Sequence, residues 1–354
     1  MNDWLIYKGN REPNDDIERL PAPPSWRAFS GEPILGPPTA ADDSLERRLG
    51  DLRKARTYRA STEEVELVNA ALYLRRPVLV TGKPGTGKST LAYSVAWELK
   101  LGRVLKWSVT SRTSRDDGLY QYDALARLQD ASRRTSLAML REPGLGPVTP
   151  LPGPEPAASP EPEYGDIGRY IRLGPLGTAL LPYQRPRVLL IDELDKSDID
   201  LPNDLLNIFE DGRYEIRELA RIADRLPEAT VLTDDGDQVV IRAGKVECNS
   251  FPLVVITSNG ERVFPPAFLR RCLRLHIGEP DADRLQEIVQ AHLGADEDQR
   301  SMEMIRTFIS RRTEGELATD QLLNAIYLMF HHAWPDGREK LVDKILHYIS
   351  QNFE

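Results

Sequence analysis

The residues with the clearest chemical potential form a glycine-rich run in the first third of the chain. The run reads GKPGTGKS, occupies 82–89 and is called the phosphate loop below. Glycines allow the backbone to curl until successive amides face one oxyanion. An apolar run precedes the loop at 78–80 and a helical stretch, LAYSVAWEL, follows from residue 91. The loop is therefore predicted to lie between a strand and a helix whose positive N-terminus faces the same anion.

The spacing within the loop assigns separate tasks to its side chains. Lys88 is predicted to bridge the β- and γ-phosphates of a nucleoside triphosphate, and Ser89 to ligate Mg²⁺. Lys83 lies inside the loop without a defined role and is expected to be solvated. The residues predicted to line the nucleotide site are Gly82, Lys83, Pro84, Gly85, Thr86, Gly87, Lys88, Ser89 and Thr90.

A second group of chemically useful residues follows the apolar run at 188–191. Asp192 and Glu193 come directly after this run, so both carboxylates are predicted to emerge at the carboxyl edge of a buried strand, beside the phosphate loop. Asp192 is predicted to hold Mg²⁺ through its water shell, and Glu193 to polarise a water for in-line attack. The following DKSD segment, 195–198, is too close to the acidic pair for a guanine-specific motif and is predicted to be a solvated helix start.

Two further segments carry candidate catalytic residues. The run LVVITSN places Asn259 after another strand, where a neutral amide can hold the attacking water or the γ-phosphate without quenching Mg²⁺. The run FPPAFLRRC places Arg270 and Arg271 at the end of a short helix before the last strand. Without its context, such an arginine doublet is more typical of a solvated surface.

Composition restricts the class of protein. The chain has 354 residues, a net charge of -9 and two cysteines, Cys248 and Cys272, outside any CxxC motif. The acidic balance argues against a protein whose main role is to coat a phosphate backbone, and the cysteines do not support a zinc cluster. The start of the chain lacks a basic head followed by an apolar run, and no window is apolar enough to span a membrane. The expected location is cytoplasmic.

Periodicity predicts an α/β fold. Five apolar strands at 78–80, 104–109, 188–191, 253–256 and 273–277 alternate with helical patterns, which indicates a parallel sheet covered by helices. A capping box formed by Ser61 and Glu64 marks the start of the first long helix. From about residue 281, amphipathic helices follow without strands, on faces formed around Leu285, Ile305, Leu322 and Leu341.

Fifteen of the 27 prolines lie in two clusters that set the domain boundaries. Residues 1–55 are predicted to form a proline-rich N-terminal arm, whose Trp4, Leu5, Ile6 and Trp26 either dock on a partner or pack on the chain's own surface. Residues 56–280 are predicted to form the α/β core, with a proline-rich insertion at about 141–165. Residues 281–354 are predicted to form a helical lid domain.

The motifs GKPGTGKST, LLIDELD, VITSN and FPPAFLRRC, in this order, resemble those of the AAA+ ATPases. The residues of the last two motifs are similar to those of the MoxR or dynein-related branch. The resemblance covers about 56–354, apart from the insertion. It implies a P-loop NTPase fold with three layers, a sheet ordered 5-1-4-3-2 and a C-terminal helical lid. It also implies a homo-oligomeric ring, commonly a hexamer, with ATP and Mg²⁺ at each subunit interface.

The resemblance assigns roles by motif. The loop 82–89 matches Walker A, Asp192 and Glu193 match Walker B, and Asn259 matches sensor 1. Arg271 best matches the arginine that reaches a neighbour's γ-phosphate in trans, with Arg270 as the alternative. A sensor-2 arginine is expected near 315–328, where the chain has Glu316, Leu317 and Thr319; either Arg311 or Arg312 substitutes for it, or the contact is absent.

Two other segments are candidates for contact with a substrate. The stretch 213–251 matches the insertion before sensor 1 in that branch, and is predicted to form a hairpin through 234–237 that could project into a ring pore. Tyr120 and Tyr122 in the segment 110–123 are the other candidates, with a surface loop as the alternative.

Three functions follow from these observations. The first is a MoxR-like ATPase that remodels or activates a protein partner, typically one with a von Willebrand A domain; a bacterial conflict or defence system is one context for it. The second is a nucleic-acid motor or the NTPase subunit of a restriction-type complex, supported by local arginine runs at 112–115 and 133–134. The third is a nucleotide-gated scaffold with little turnover, against which Glu193 and Arg271 argue.

Overall fold

The computed structural model describes residues 4–36, 55–140, 167–293, 299–312, 317 and 319–330. The predicted insertion at about 141–165, part of the N-terminal arm and the helix predicted around Leu341 lie outside these residues. Short 3-10 turns occur at Asp16–Arg19, Ser25–Arg27, Ile167–Tyr170 and Leu194–Lys196.

A five-stranded parallel sheet forms the centre of the fold. Its strands are β1 (Val78–Thr81), β2 (Leu105–Ser108), β5 (Val188–Asp192), β10 (Leu253–Ser258) and β11 (Leu273–His276). They lie in the order β11-β1-β10-β5-β2, and every neighbouring pair is parallel. The predicted order 5-1-4-3-2 is therefore confirmed, and each strand lies within two residues of its predicted bounds.

Helices cover both faces of this sheet and give the α/β fold its three layers. One face packs on α1 (Thr62–Leu74) and α2 (Lys88–Glu98), and the capping box of Ser61 and Glu64 at the start of α1 is confirmed. The other face packs on α5 (Pro175–Ala179), α6 (Leu201–Asp211) and α8 (Pro266–Arg271). Because both faces are buried, the central strands are apolar almost throughout, which is the pattern that made them predictable.

A second, six-stranded sheet was not predicted from the sequence. It contains β3 (Tyr120–Tyr122), β4 (Ile171–Leu173), β6 (Arg213–Glu215), β7 (Glu228–Leu232), β8 (Gln238–Arg242) and β9 (Lys245–Glu247), in the order β3-β4-β7-β8-β9-β6. Four of its strands have only three residues, too few for alternation to be detected in a sequence. The helix α3 (Arg115–Leu119) leads from β2 into β3, α4 (Ala124–Leu140) follows β3, and α7 (Arg217–Ala220) lies between β6 and β7.

Tyr120 and Tyr122 belong to this second sheet and not to a surface loop. Tyr120 pairs with Leu173 in β4, and its hydroxyl accepts a hydrogen bond from the Arg217 amide at 3.2 Å. The Tyr122 hydroxyl accepts one from Arg127 at 2.9 Å. Both rings pack against the core under the second sheet, so their described contacts are structural.

The predicted hairpin is confirmed as β7 and β8, with Leu232 opposite Gln238. Its turn does not project from the body. Asp235 in the turn lies 2.8 Å from the guanidinium of Arg187, and these side chains are 7% and 2% exposed. Arg187 also donates to the Arg103 carbonyl, and the Asp234 amide donates to Thr178. A buried ion pair therefore fastens the turn to the residue that precedes β5.

The N-terminal segment 4–36 packs along α1 and α2. The Asn69 side chain accepts hydrogen bonds from the amides of Ile6 and Tyr7 and donates to the Tyr7 carbonyl. The Glu98 carboxylate accepts hydrogen bonds from the backbone amides of Lys8, Gly9 and Arg11. Ile6 is fully buried, so for this residue the expectation of packing on the chain itself is confirmed, whereas Trp26 remains 75% exposed.

Arg27 fixes the far end of this segment between two helix C-termini. Its guanidinium donates to the carbonyls of Phe209 and Glu210 in the last turn of α6 and to that of Arg75, which caps α1. The positive charge is favourable there because the carbonyls at a helix C-terminus carry partial negative charge.

Three amphipathic helices follow the central sheet. They are α9 (Ala282–Leu293), α10 (Gln299–Arg312) and α11 (Thr319–Phe330). Leu285, Val289, Ile305, Phe308, Leu322 and Ile326 form a core of their own between these helices. Within the described part of the chain, no helix is both long enough and apolar enough to cross a membrane.

The buried pair at the hairpin turn generates a stability prediction. We expect Asp235→Ala to destabilise the protein by about 3–5 kcal/mol, because it leaves the Arg187 guanidinium buried without its counterion. Thermal unfolding should show a melting temperature lower by at least about 5 °C. The double variant Arg187→Met/Asp235→Leu should recover most of the loss, since an apolar pair of similar volume can replace a buried ion pair.

Asp224→Ala is the matched control, because Asp224 forms an exposed pair with Arg225 at 3.9 Å. Its loss should change stability by no more than about 0.5 kcal/mol. Equal melting temperatures for Asp235→Ala and Asp224→Ala would contradict the role given to the buried pair.

Candidate functional site

The phosphate loop joins β1 to α2 in a conformation that glycine makes possible. Gly85 and Gly87 have φ values of 77° and 91°. A side chain at Gly87 would also meet the ring of Tyr58, since an added Cβ would lie 3.1 Å from it. The helix α2 begins at the next residue, Lys88, without a side-chain cap. The loop therefore brings a helix N-terminus to its own concave side, as anion binding requires.

Lys88 is folded into the loop and is 7% exposed. Its ammonium donates to the carbonyls of Gly82 and Lys83, each at 2.7 Å, while Thr86 donates to the Lys83 carbonyl at 2.9 Å. Burial lowers the pKa of Lys88, and the carboxylates of Asp195, Asp192 and Glu193 oppose this change. A phosphate oxygen can replace the two carbonyls as the partner of this ammonium.

The Asp192 carboxylate at the end of β5 connects three elements. Its Oδ1 accepts hydrogen bonds from Ser89 at 2.6 Å and from Thr257 at 2.8 Å. Its Oδ2 lies 2.8 Å from the ammonium of Lys106 on β2. Burial by itself raises the pKa of Asp192, but these three hydrogen bonds outweigh burial and hold the pKa below its ordinary value.

The oxygen atoms around Asp192 fit Mg²⁺. A hydroxyl and a carboxylate lie within hydrogen-bond distance of each other, and hard oxygen ligands of this kind are what Mg²⁺ binds. Among the described residues, no group of three or more His, Cys, Asp or Glu could hold a metal ion. The site is thus suited to Mg²⁺ that takes its other ligands from phosphates and water, as is usual for this ion.

Glu193 is held in place by contacts on both its backbone and its side chain. It adopts left-handed backbone angles, φ 61° and ψ 49°, which are uncommon outside glycine. Its amide donates to Thr257 at 2.9 Å, and its carboxylate accepts from Lys196 at 2.8 Å. The chain turns sharply here and directs Glu193 away from the line of β5, so the two neighbouring acids have different surroundings.

The segment 195–198 is not a solvated helix start as predicted from the sequence, because Asp195 is 2% exposed. The Asp195 Oδ2 accepts hydrogen bonds from the backbone amides of Asn259 at 2.8 Å and Glu261 at 3.1 Å. The buried carboxylate therefore fixes the turn after β10, and with it the backbone of Asn259, against the residues that follow β5. The alternation of polar and apolar residues in DELDKSD gave no sign of this burial.

Arg270 and Arg271 lie at the opposite edge of the sheet from the phosphate loop. Leu273 begins β11 level with Val78, the first residue of β1, and the Arg76 guanidinium donates to the Arg270 carbonyl at 3.4 Å, whereas the loop follows the last residue of β1. The four residues of β1 alone span about 13 Å, so the doublet and the loop of one chain lie at opposite ends of this strand. Arg271 is paired with Glu210 of α6, and Arg270 is exposed.

Lys83 and Arg312 meet at a shared carboxylate. Lys83 lies 3.1 Å from one oxygen of Glu279, and the Arg312 guanidinium lies 3.8 Å from the other. Arg312 also donates to the Pro280 carbonyl at 2.9 Å. Lys83, predicted to be solvated, is half exposed but ion-paired, and of the two sensor-2 alternatives it is Arg312 that is linked to the phosphate loop through Glu279.

Three residues near the site escaped the sequence prediction. Lys106 precedes its anionic partner by 86 positions and comes from a different strand, so no local pattern connects the two. Thr257 was noted only as a neighbour of Asn259, although it contacts both Asp192 and Glu193. Lys196 lies three residues after Glu193, a spacing that suggests contact only once the turn is known.

The cysteines and the arginine runs are accounted for by packing and local pairing. Cys248 and Cys272 are free and buried, and burial raises the pKa of each thiol to about 12. Arg115 is paired with Asp116 at 3.0 Å and Arg133 with Asp130 at 3.8 Å, so part of the positive charge of these runs is neutralised locally.

Comparison with protein families agrees with this geometry. The family model described as AAA domain, dynein-related subfamily, matches residues 77–272, more than half of the chain. Those residues include the phosphate loop, the acidic pair, Asn259 and the arginine doublet. No match was found among curated proteins.

The buried carboxylate of Asp195 generates a prediction for the site. We expect Asp195→Ala to reduce nucleotide hydrolysis at least about tenfold, because the turn that carries Asn259 loses the acceptor of two amides. Nucleotide affinity should not fall, since the phosphate loop is untouched and the loss of a neighbouring carboxylate lessens its repulsion of the phosphates. Steady-state hydrolysis and equilibrium binding of a fluorescent nucleotide measure the two quantities.

Asp198→Ala is the control, since Asp198 lies in the same segment but is exposed. It should hydrolyse nucleotide at the wild-type rate. Wild-type hydrolysis by a folded Asp195→Ala variant would show that this carboxylate does not position the turn for catalysis.

Proposed function

The chain belongs to the dynein-related subfamily of AAA domains, and from this premise we propose that it hydrolyses ATP at the subunit interfaces of a homo-oligomeric ring to remodel or activate a protein partner. The observation that carries the proposal is the convergence of Ser89 and Thr257 on one oxygen of Asp192, at 2.6 and 2.8 Å, beside a phosphate loop. Membership of this family supports a general role for the chain as an ATPase.

Binding of the substrate is assigned to the phosphate loop. The amides of Gly85 to Ser89 and the N-terminus of α2 attract the phosphate oxygens, and Lys88 exchanges its carbonyl partners for them. Ser89 and Asp192 would hold Mg²⁺, which when bound neutralises phosphate charge and polarises the terminal phosphoryl group. Tyr58 closes the loop on the side of Gly87.

Water activation is assigned to Glu193. Its carboxylate is half exposed and paired with Lys196, so it is accessible to a water while its orientation is restrained. Glu193 accepts the proton of the attacking water, and the Asn259 amide holds that water or the γ-phosphate. Asp195 supports this arrangement by tying the backbone of Asn259 to the residues that follow Glu193.

Assembly into a ring is supported by the position of the arginine doublet. The doublet lies by the amino end of β1, whereas the phosphate loop of the same chain follows the carboxyl end of β1, so we assign Arg271 to a transferring phosphoryl group in another subunit. Hydrolysis then depends on assembly. A hexamer is the number of subunits that the resemblance implies, and Arg270 is the alternative finger.

The class of client follows from the MoxR-like resemblance. MoxR-like ATPases typically act with proteins that contain von Willebrand A domains, so we propose such a protein as the partner and a chaperone role as the outcome. A bacterial conflict or defence system is the proposed context. A nucleic-acid motor gains no specific observation, because Arg115 and Arg133 have acidic neighbours. A scaffold with little turnover gains none either, since the contact of Ser89 with Asp192 supports the proposal of hydrolysis.

The first test separates binding from chemistry. We expect Glu193→Gln to bind ATP with wild-type affinity and to hydrolyse it at least about a hundredfold more slowly, because the general base is lost. Lys88→Ala should lose ATP binding and serves as the control for a defective loop. Phosphate release and calorimetry give the two measurements, and full turnover by Glu193→Gln would remove the role assigned to this carboxylate.

The second test addresses catalysis in trans. We expect Arg271→Ala to bind ATP normally and to lose about a thousandfold in hydrolysis, the contribution of an arginine finger. Rings mixed from Arg271→Ala and Glu193→Gln subunits should regain activity, since some interfaces then combine an intact finger with an intact base. If Arg270→Ala loses activity and Arg271→Ala does not, the alternative assignment is correct.

A further inference from the structure

Lys106 is a cation at the phosphate site that no sequence motif identifies. It lies on β2, the edge strand of the central sheet, where Ser108 is level with Asp192. Lys106 precedes Ser108 by two residues. Its side chain bridges this offset and brings the ammonium within 2.8 Å of Asp192 Oδ2. The Lys106 side chain is 44% exposed, so it can change partners without opening the core.

The two oxygens of Asp192 are divided between different partners. The hydroxyls of Ser89 and Thr257 donate to Oδ1, and Lys106 takes Oδ2. A hydroxyl carries no net charge, so the negative charge of Asp192 is balanced by Lys106 alone among these contacts. The ammonium therefore performs in this structure the neutralisation that a divalent cation next to Ser89 would otherwise provide.

The other lysines around the site have different partners. Lys88 donates to two carbonyls of the loop, Lys196 is paired with Glu193 at 2.8 Å, and Lys83 is paired with Glu279 at 3.1 Å. Asp192, Glu193 and the buried Asp195 meanwhile place three carboxylates next to a site for a polyphosphate. Repulsion between these carboxylates and the phosphates is strong in a partly buried site, so each unneutralised charge weakens binding.

We propose that Lys106 is a resident counter-cation of the phosphate site, which supports nucleotide binding in the absence of Mg²⁺ and competes with Mg²⁺ for Asp192. The proposal rests on the proposed function, because it concerns the same nucleotide site. Without the metal, Lys106 keeps Asp192 neutralised and adds positive charge near the phosphates. With the metal, Lys106 is an adjacent like charge that weakens its binding.

The test compares binding of a fluorescent ADP analogue in excess EDTA with binding in excess Mg²⁺. The measured quantity is the dissociation constant in EDTA divided by the dissociation constant in Mg²⁺. Lys106→Met should bind the analogue about tenfold more weakly in EDTA, the effect of losing one charge-assisted contact, and as tightly as wild type or more tightly in Mg²⁺. The ratio should therefore rise about tenfold or more. Titration of Mg²⁺ at a fixed nucleotide concentration should show a lower midpoint for Lys106→Met.

Two matched variants separate charge from structure. Lys106→Arg keeps the positive charge and should keep the wild-type ratio. Lys100→Met removes a lysine of nearly equal exposure, 45%, that is paired with Asp15 at 2.6 Å, and it should leave both dissociation constants unchanged. Lys106→Gln provides a second neutral variant, so that an effect of the methionine side chain itself is recognised.

The outcomes also distinguish this inference from the proposed function. Wild type that binds the analogue in Mg²⁺, together with an unchanged ratio in both Lys106→Met and Lys106→Gln, overturns the role of Lys106 and leaves the proposed ATPase intact. A wild-type protein that binds no nucleotide under either condition overturns both. A raised ratio in both neutral variants, with the wild-type ratio in Lys106→Arg, supports the inference.

Discussion

The Asp192 carboxylate is the interaction on which the arrangement of the site depends. Through Ser89 it holds the start of α2, through Thr257 the end of β10, and through Lys106 the edge strand β2. These elements come from widely separated parts of the chain and meet only because β5 lies between β10 and β2 in the sheet. A single partly buried carboxylate that accepts from all three makes their relative positions interdependent, so the loop, the acidic pair and the turn after β10 form one unit.

Three carboxylates around the site are paired with lysines in this structure. Lys106 balances Asp192, Lys196 balances Glu193, and Lys83 balances Glu279, while Lys88 is satisfied by carbonyls. Pairing explains how several carboxylates and ammonium groups can lie so close together in a partly buried region. A triphosphate that enters must take over some of these partners. In the proposed function, binding would therefore exchange counterions at contacts that involve β2, the residues after β5 and, through Glu279, Arg312 of α10.

The segments outside the central sheet are attached to it by buried polar contacts. Asn69 and Glu98 fasten the N-terminal segment to α1 and α2, and α2 is the helix that begins at the phosphate loop. The Arg27 guanidinium donates a hydrogen bond to the Glu210 carbonyl, and the Glu210 side chain forms an ion pair with Arg271. The hairpin turn is held by Arg187 immediately before β5. The N-terminal segment and the hairpin turn therefore contact α2 and the start of β5, the two elements that carry the candidate site residues Lys88, Ser89 and Asp192.

The sequence by itself determined the central sheet, the loop and the acidic pair. Strands buried on both faces are continuous apolar runs, and the loop chemistry needs residues at fixed neighbouring positions, so both leave local patterns. Only the tertiary structure decided the roles of Lys106, Asp195 and Arg187, because each acts on a partner far along the chain or in another element. It also decided that the hairpin turn is anchored and that the three-residue strands form a second sheet. Pairings between distant residues depend on the order of strands in space, which a local pattern of residues does not encode.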